Sequence, residues 1–204
     1  MTGGKFVWGT VLVLALIVSG YALAVALIPG LRPPFVQALF SEKALRAFGH
    51  LAAGGIALAT GAVQFSTRLR VARPAVHRLL GTIYIVTVLI SGLSALLLAP
   101  VSTGGLAAHF GFGGLAVLWV ASAVIAYVRA RDGEYGSHRE WMIRSYALCL
   151  AAVTLRIYLP VSLAAGVPFE EAYPAIAWLC WVPNLVVAEW LLVRGPVARL
   201  DAVA

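Results

Sequence analysis

Four histidines are the residues of this chain whose type and spacing could support chemistry. His50 and His109 each open the pattern His-x-x-x-Gly-Gly-x-Ala. His77 follows the start of the first copy after 27 residues, and His138 follows the start of the second copy after 29 residues. The recurrence of both the pattern and the spacing predicts an internal duplication of a unit that carries two histidines.

The duplication predicts how the histidines pair. The segments that join them are long and apolar, so each unit is interpreted as two membrane-spanning helices. Copies of such a unit run parallel, related by an axis along the membrane normal. His50 then meets His109 near the outer face, and His77 meets His138 near the cytoplasmic face. Most of the ~30 Å apolar thickness of a bilayer separates the two pairs.

Two facing imidazoles suit one cofactor better than others. A zinc site needs three or four protein ligands, and copper or non-haem iron is usually coordinated by Cys, Met or carboxylate ligands as well. Haem brings four nitrogens of its own and needs only two axial ligands from opposed helices. The two pairs therefore predict two haems, with all four histidines as iron ligands. Another metal, or a purely structural role for interfacial histidines, stays open as an alternative.

A glycine stands four residues after three of the four histidines, at Gly54, Gly81 and Gly113. Positions i and i+4 lie on one helix face, one turn apart. A flat macrocycle bound to the histidine would lie over that position, and glycine leaves room for it. Met142 takes the fourth position. Close helix packing through small residues is the competing explanation.

Arginines near the histidines are candidates for binding haem propionates. Arg78, Arg139 and Arg144 lie toward the cytoplasmic face, where charge-assisted hydrogen bonds to a carboxylate would form. Arg156 lies 18 residues after His138, about 27 Å along a helix and so near the outer face. An arginine within an apolar span is by default a functional-site candidate. The alternatives are simple topological marking and, for Arg156, snorkelling to the surface.

The composition defines the elements that must position these residues. Of 204 residues, 62% are hydrophobic and 11% are charged, which excludes a soluble domain, a disordered chain and, despite a net charge of +7, a nucleic-acid-binding module. The sequence predicts an all-α fold, an integral membrane six-helix bundle in a single transmembrane domain, 1–204. Its four-helix core is the duplicated two-helix unit, 47–99 and 106–160. The six predicted spans, each of about 20 mostly apolar residues, are 6–28, 47–66, 77–99, 106–128, 140–160 and 173–193.

The distribution of arginine orients the chain. Lys and Arg concentrate in cytoplasmic loops of membrane proteins. We therefore expect both termini in the cytoplasm of a bacterium, with the chain in the inner membrane and lipid as its surroundings. The arginines of the two basic loops and the C-terminal tail are Arg68, Arg70, Arg73, Arg78, Arg129, Arg131, Arg139, Arg144, Arg194 and Arg199.

The placement of the histidines on four consecutive spans resembles the cytochrome b561 superfamily of di-haem electron carriers. The resemblance covers roughly residues 47–160 and is one of architecture and histidine placement. It implies one b-type haem ligated by His50 and His109 and another ligated by His77 and His138. It also implies electron transfer from a donor on one membrane face to an acceptor on the other.

Three segments also resemble an uncharacterised family of predicted bacterial multispanning membrane proteins. They are HLAAGGIAL from His50, HRLLGTIY from His77 and HREWMIRSYAL from His138. This resemblance covers nearly the whole chain and implies no established activity.

Together these features predict a di-haem b-type transmembrane electron-transfer protein. The sequence has no ascorbate-type motif and no flavin or nicotinamide fingerprint, so donor and acceptor stay open, with quinol a reasonable guess. The enzyme class stays open too, a transmembrane oxidoreductase being what the resemblance implies. A cofactor-free scaffold or assembly factor and a histidine-based metal or proton transporter are the alternatives, and the oligomeric state is open.

Overall fold

A computed structural model describes residues 2–194, and within them the regular structure is helical, without strands. The all-α prediction is therefore confirmed for this part of the chain. The α-helices are α1 (Thr2–Leu27), α2 (Pro34–Gln64), α3 (Thr67–Ala72), α4 (Pro74–Leu98), α5 (Gly105–Arg131), α6 (Tyr135–Cys149), α7 (Ala151–Ala164), α8 (Phe169–Leu179) and α9 (Val182–Arg194).

Five helical segments are long and apolar enough to cross a membrane. They coincide with the first, third, fourth, fifth and sixth predicted spans. The second predicted span, 47–66, lies in α2 up to the end of that helix at Gln64 and is outside this set, so the six-helix count stays a prediction. The five segments are Trp8–Leu27, Pro74–Val101, Gly105–Arg131, Tyr135–Ala164 and Phe169–Val193.

The chain divides into two compact units, residues 1–98 and 99–204. The first contains α1 to α4 and the second contains α5 to α9. The boundary falls one residue before the end of the first predicted copy, 47–99, and ahead of the second, 106–160. The duplication itself and the single transmembrane domain stay predictions, and each unit is described below by itself.

In the first unit, α2 packs against both α1 and α4 through small residues. The Ser19 hydroxyl on α1 donates a hydrogen bond to the Gly55 carbonyl at 2.7 Å. On the other contact, a Cβ added to Gly49 would lie 2.7 Å from Ser94 Oγ on α4. Helices can approach this closely only because glycine has no side chain.

Helix α2 begins well before the predicted second span. Pro34 is its first residue, and the backbone kinks at Lys43 (φ −136°, ψ 42°). The preceding Arg32 donates hydrogen bonds to the carbonyls of Val25 and Ala26 at the end of α1, and its guanidinium lies 3.6 Å from the centroid of Phe40. A cation that satisfies terminal carbonyls stabilises the end of a helix. Much of the segment predicted as a loop is therefore ordered helix.

In the second unit, α5 packs against α6 and α8. Gly133 (φ 81°) makes the left-handed turn between α5 and α6, a conformation that glycine adopts without strain. Gly111 allows close contact with α8, since an added Cβ would lie 2.9 Å from the Ala177 carbonyl oxygen. Between α8 and α9, the Asn184 side chain donates to the Cys180 carbonyl at 3.0 Å, which satisfies one acceptor at this break.

Large apolar side chains face outward on both units. Leu45 is 85% exposed and Leu106 is 72% exposed, whereas Ala47 and Ala108 are fully buried. Such large, strongly exposed apolar side chains are numerous among the described residues, and an exterior of this kind is suited to lipid.

Candidate functional site

His50 on α2 is tied to Ser91 on α4. Its Nδ1 lies 3.2 Å from the Ser91 carbonyl oxygen, and the Ser91 hydroxyl donates to the His50 carbonyl at 2.8 Å. Ser91 is fully buried. A carbonyl oxygen can only accept, so this contact places the imidazole proton on Nδ1 and the lone pair on Nε2.

His138 on α6 has the same arrangement in the second unit. Its Nδ1 lies 2.7 Å from the carbonyl oxygen of Ala126 on α5. The ring is again fixed with the proton on Nδ1 and the lone pair on Nε2. Histidines that bind a metal through one nitrogen almost always donate the other N–H to a carbonyl or carboxylate.

His77 on α4 contacts Gln64, the last residue of α2. The amide orientation that satisfies the Gly81 N–H and the His77 carbonyl places the Gln64 nitrogen 2.9 Å from His77 Nδ1. Hydrogen bonds of the neighbours decide such amide orientations. Here Nδ1 accepts, so the proton of a neutral His77 lies on Nε2.

His109 on α5 uses its other nitrogen. Its Nε2 lies 2.9 Å from the carbonyl oxygen of Ser102, which precedes the helix. The proton of a neutral His109 therefore lies on Nε2 as well.

The histidines thus fall into two groups according to which ring nitrogen carries the proton, and each predicted pair contains one histidine from each group. His50 and His138 hold Nδ1 at a backbone carbonyl, whereas His109 and His77 carry their proton on Nε2. Within each unit the two histidines lie at opposite ends of a helix pair. His50 contacts Ser91, and the 14 residues from His77 to Ser91 span about 21 Å of α4. His138 contacts Ala126, and the 17 residues from His109 to Ala126 span about 26 Å of α5. Each pair takes one histidine from each unit, and the pairing stays a prediction.

The predicted glycine positions are bounded by side chains of their own unit. A Cβ added to Gly54 would lie 2.9 Å from Ser91 Oγ, and one added to Gly81 would lie 3.6 Å from the Gln64 amide. At Gly113 the nearest neighbour is Ala99 Cβ, at 3.8 Å. Gly54 is therefore needed for helix packing, whereas Gly81 and Gly113 make only ordinary contacts.

Arg144 binds two carboxylates of its own unit. Its Nε and Nη2 donate to the two oxygens of Glu189 on α9 at 2.6 and 3.0 Å, and Glu140 lies 3.5 Å from Nη1. The guanidinium also lies over the Trp141 ring at 4.8 Å. Such a bidentate pair between a guanidinium and a carboxylate is a strong, directional contact. Arg144, which was predicted to bind a haem propionate, is therefore already bound to two carboxylates of the protein.

The other predicted arginines differ among themselves. Arg156 donates to the Ala152 carbonyl of its own helix at 3.0 Å. Arg78 and Arg139 are exposed, next to His77 and His138.

Three contact residues were not predicted from the sequence. Ser91, Ser102 and Glu189 carry no motif, although Ser91 lies 14 residues after His77 and so on nearly the same helix face. A polar residue at that register in an apolar span is the signal that could have found it. Among the residues described, no group of three or more His, Cys, Asp or Glu could hold a metal ion.

The helices and their apolar exterior define a multispanning α-helical membrane protein. A family model described as a predicted membrane protein, DUF2306, matches residues 47–192. The chain belongs to this family, which confirms the sequence-based expectation of a multispanning membrane protein family. Neither the curated proteins nor the solved structures contain a match to the chain.

Proposed function

We propose that the chain is a di-haem b-type electron carrier of the bacterial inner membrane, with both termini in the cytoplasm. The ligand pairs are His50 with His109 and His77 with His138. The observation that carries the proposal is that one histidine of each pair has its Nδ1 at a backbone carbonyl. Electrons pass between partners at the two faces, and a quinol is a chemically suitable donor.

His50 and His138 fit haem ligation as they stand. The contacts with Ser91 and Ala126 orient each ring with its proton on Nδ1, so that Nε2 is the nitrogen that would bind iron. Donation from Nδ1–H to a carbonyl also makes the imidazole more basic, which strengthens its bond to a metal. These two histidines come from different units.

His77 and His109 fit only after a change of hydrogen bond. For His77, turning the Gln64 amide brings its oxygen to Nδ1, so that Nδ1–H donates and Nε2 is deprotonated. That turn gives up the hydrogen bonds of the Gln64 amide with the Gly81 N–H and the His77 carbonyl. For His109, Nε2 must leave the Ser102 carbonyl. The second ligand of each pair is thus the adjustable one.

When bound, haem supplies one-electron redox chemistry whose potential depends on its axial ligands and surroundings. The residues of this chain would ligate it, exclude water and balance its charge. Arg78, Arg139 and Arg156 are the candidates to bind propionates. Arg144 is the weakest of the predicted set because Glu189 and Glu140 already neutralise it.

The test is the absorbance of protein purified from haem-sufficient cells. Reduced-minus-oxidised spectra should show sharp haem b bands, with about two haems per chain as the pairing requires. His50→Gly should lose about one haem per chain, and added imidazole should restore it. Rescue by imidazole excludes misfolding as the cause. A colourless, stably folded protein would overturn the proposal, and one haem per chain would refute the double site.

Gln64 gives a sharper test that separates ligation from packing. Gln64→Leu removes the hydrogen bond that can hold Nδ1–H of His77, so the site with His138 should shift its potential or lose affinity. Ser122→Ala is the matched control, since the Ser122 hydroxyl donates only to the Trp119 carbonyl of its own helix at 3.0 Å. Equal spectra for wild type and Gln64→Leu would argue against ligation by His77.

A cofactor-free scaffold is the second candidate, and the Gly54–Ser91 contact favours it. There the glycine serves close packing of α2 against α4. On this alternative all four histidines act only as interhelical or capping hydrogen-bond partners. The protein would be colourless, and its histidine variants would lose stability without losing any chromophore.

A further inference from the structure

The short helix α3 joins the end of α2 to the start of α4 and contacts both. Ser66 caps it, because the Leu69 N–H donates to Ser66 Oγ at 3.2 Å. The candidate span Pro74–Val101 begins directly after it. Helix α3 therefore lies at one end of the spanning helices of the first unit, at the boundary between lipid and water.

This boundary carries an unusual charge. The first unit, residues 1–98, has eight Lys and Arg and one acidic residue, whereas residues 99–204 have seven Arg and seven acidic residues. The whole net charge of +7 therefore belongs to the first unit. Half of its cations lie in the segment 66–78, namely Arg68, Arg70, Arg73 and Arg78.

These four arginines are exposed, and none forms an ion pair within the described part of the chain. By contrast, Arg129 binds Glu134 at 2.7 Å and Arg144 binds Glu189. The positive-inside rule accounts for the presence of arginines in this loop but not for their arrangement around a cavity.

Two of the four line that cavity, which has a volume of about 240 Å³ and is bounded by Ser66, Arg68, Leu69, Ala72 and Arg73. Guanidinium groups bind phosphate oxygens with two parallel hydrogen bonds. The Ser66 hydroxyl can donate a further one, and Leu69 with Ala72 offers an apolar wall. The lining thus combines anion recognition with apolar contact.

We propose that this cavity binds the phosphodiester headgroup of an anionic phospholipid, held by Arg68 and Arg73. The charge is complementary to an anionic membrane surface, where each nearby arginine attracts lipid. The position next to a spanning helix makes a membrane lipid, rather than a dissolved phosphate, the natural ligand. The proposal is independent of haem.

The experiment uses the full chain in detergent and measures retained lipid by native mass spectrometry, with phosphatidylglycerol as the probe. Wild type should retain phosphatidylglycerol in preference to phosphatidylcholine. Arg68→Gln or Arg73→Gln should weaken retention about five- to tenfold, as expected for the loss of one charge-assisted contact. Arg70→Gln, which removes the same charge from the same helix outside the cavity, should change it less than about twofold.

Three outcomes would overturn the proposal. Equal losses in Arg70→Gln and Arg73→Gln would show attraction by net charge without a site. Equal retention of phosphatidylcholine would exclude recognition of the anionic headgroup. Displacement of the lipid by low millimolar inorganic phosphate would assign the cavity to a dissolved anion. Thermal unfolding of each variant confirms that the substituted surface residues leave the fold intact.

Discussion

Cations are arranged in opposite ways in the two units. In the second unit, Arg129 and Arg144 are each bound by a carboxylate of the same unit, and the unit is neutral in sequence. In the first unit, the arginines of the segment 66–78 have no such partner among the residues that the structure describes, and a single acidic residue accompanies eight cations. Arg129 and Arg144 thus stabilise the fold of the second unit, whereas the arginines of the segment 66–78 are available to outside anions.

The histidines show a second contrast between the units. In the first unit both histidines contact polar side chains on a neighbouring helix, His50 at Ser91 and His77 at Gln64. In the second unit the ring contacts among the described residues are with backbone carbonyls, those of Ser102 and Ala126. Equivalent positions in a repeated pattern therefore have different hydrogen-bonding partners.

The largest expected effect comes from breaking the ion pair of the second unit. Arg144→Gln leaves Glu189 and Glu140 without their cation and removes two fork hydrogen bonds. Breaking a fully buried pair costs more, but Glu189 is partly exposed, so we expect a loss of about 2 kcal/mol in the free energy of unfolding. Thermal unfolding in detergent measures it.

The matched substitution in the first unit is Arg70→Gln. Because Arg70 has no ion pair in the described structure, the free energy of unfolding of this variant should stay within about 0.5 kcal/mol of the wild-type value. A comparable loss in both variants would show that the contrast in charge has no energetic meaning.

A smaller effect on stability is expected when alanine replaces the glycines at equivalent positions of the two predicted copies. Gly54→Ala brings a Cβ to 2.9 Å from the buried Ser91 Oγ, so it should destabilise by about 1–2 kcal/mol. Gly113→Ala meets only Ala99 at 3.8 Å and should be neutral or stabilising by up to about 1 kcal/mol, through helix propensity.

The double variant Gly54→Ala with Ser91→Ala tests the cause. It should recover most of the loss, because removal of Oγ makes room for the new methyl group. If a glycine instead makes room for a macrocycle, its substitution by alanine should leave the stability unchanged and cause the loss of haem. Spectra recorded beside the unfolding curves distinguish the two roles for each glycine.

The smallest effect is expected from hydrogen bonds of single side chains. Gln64→Leu removes the contacts with His77 and the Gly81 N–H and should lower stability by about 1 kcal/mol. Ser122→Ala in the second unit removes only a bond within its own helix and should change stability by less than about 0.5 kcal/mol. Equal changes would mean that the contact between α2 and α4 adds nothing beyond local structure.

Much of the fold follows from hydrophobicity alone. Five of the six spans match the structure because apolar length is a local property that a window of residues contains. The second span is not among the membrane-spanning segments of the structure because His50 and Gln64 make it less apolar. Its extension as a helix back to Pro34 could not be predicted, because no local sequence pattern indicates it. Kinks such as that at Lys43 depend on packing.

The candidate site was predictable in its residues and not in its contacts. Spacing placed a histidine at each end of each unit, as the structure does. Which ring nitrogen carries the proton depends on partners 41 residues away, such as Ser91 for His50, and no periodicity contains that information. The partnership of Glu189 with Arg144, 45 residues away, could not be predicted for the same reason.

The charge of the linker around α3 also has an electrical consequence. In a membrane that sustains 100 mV, moving one elementary charge across costs about 2.3 kcal/mol. The four arginines of the segment 66–78 together make this about 9 kcal/mol for translocation toward the positive side. In such a membrane the potential alone would favour a position of this linker on the negative side, whereas the electrically neutral second half of the chain would add no such preference.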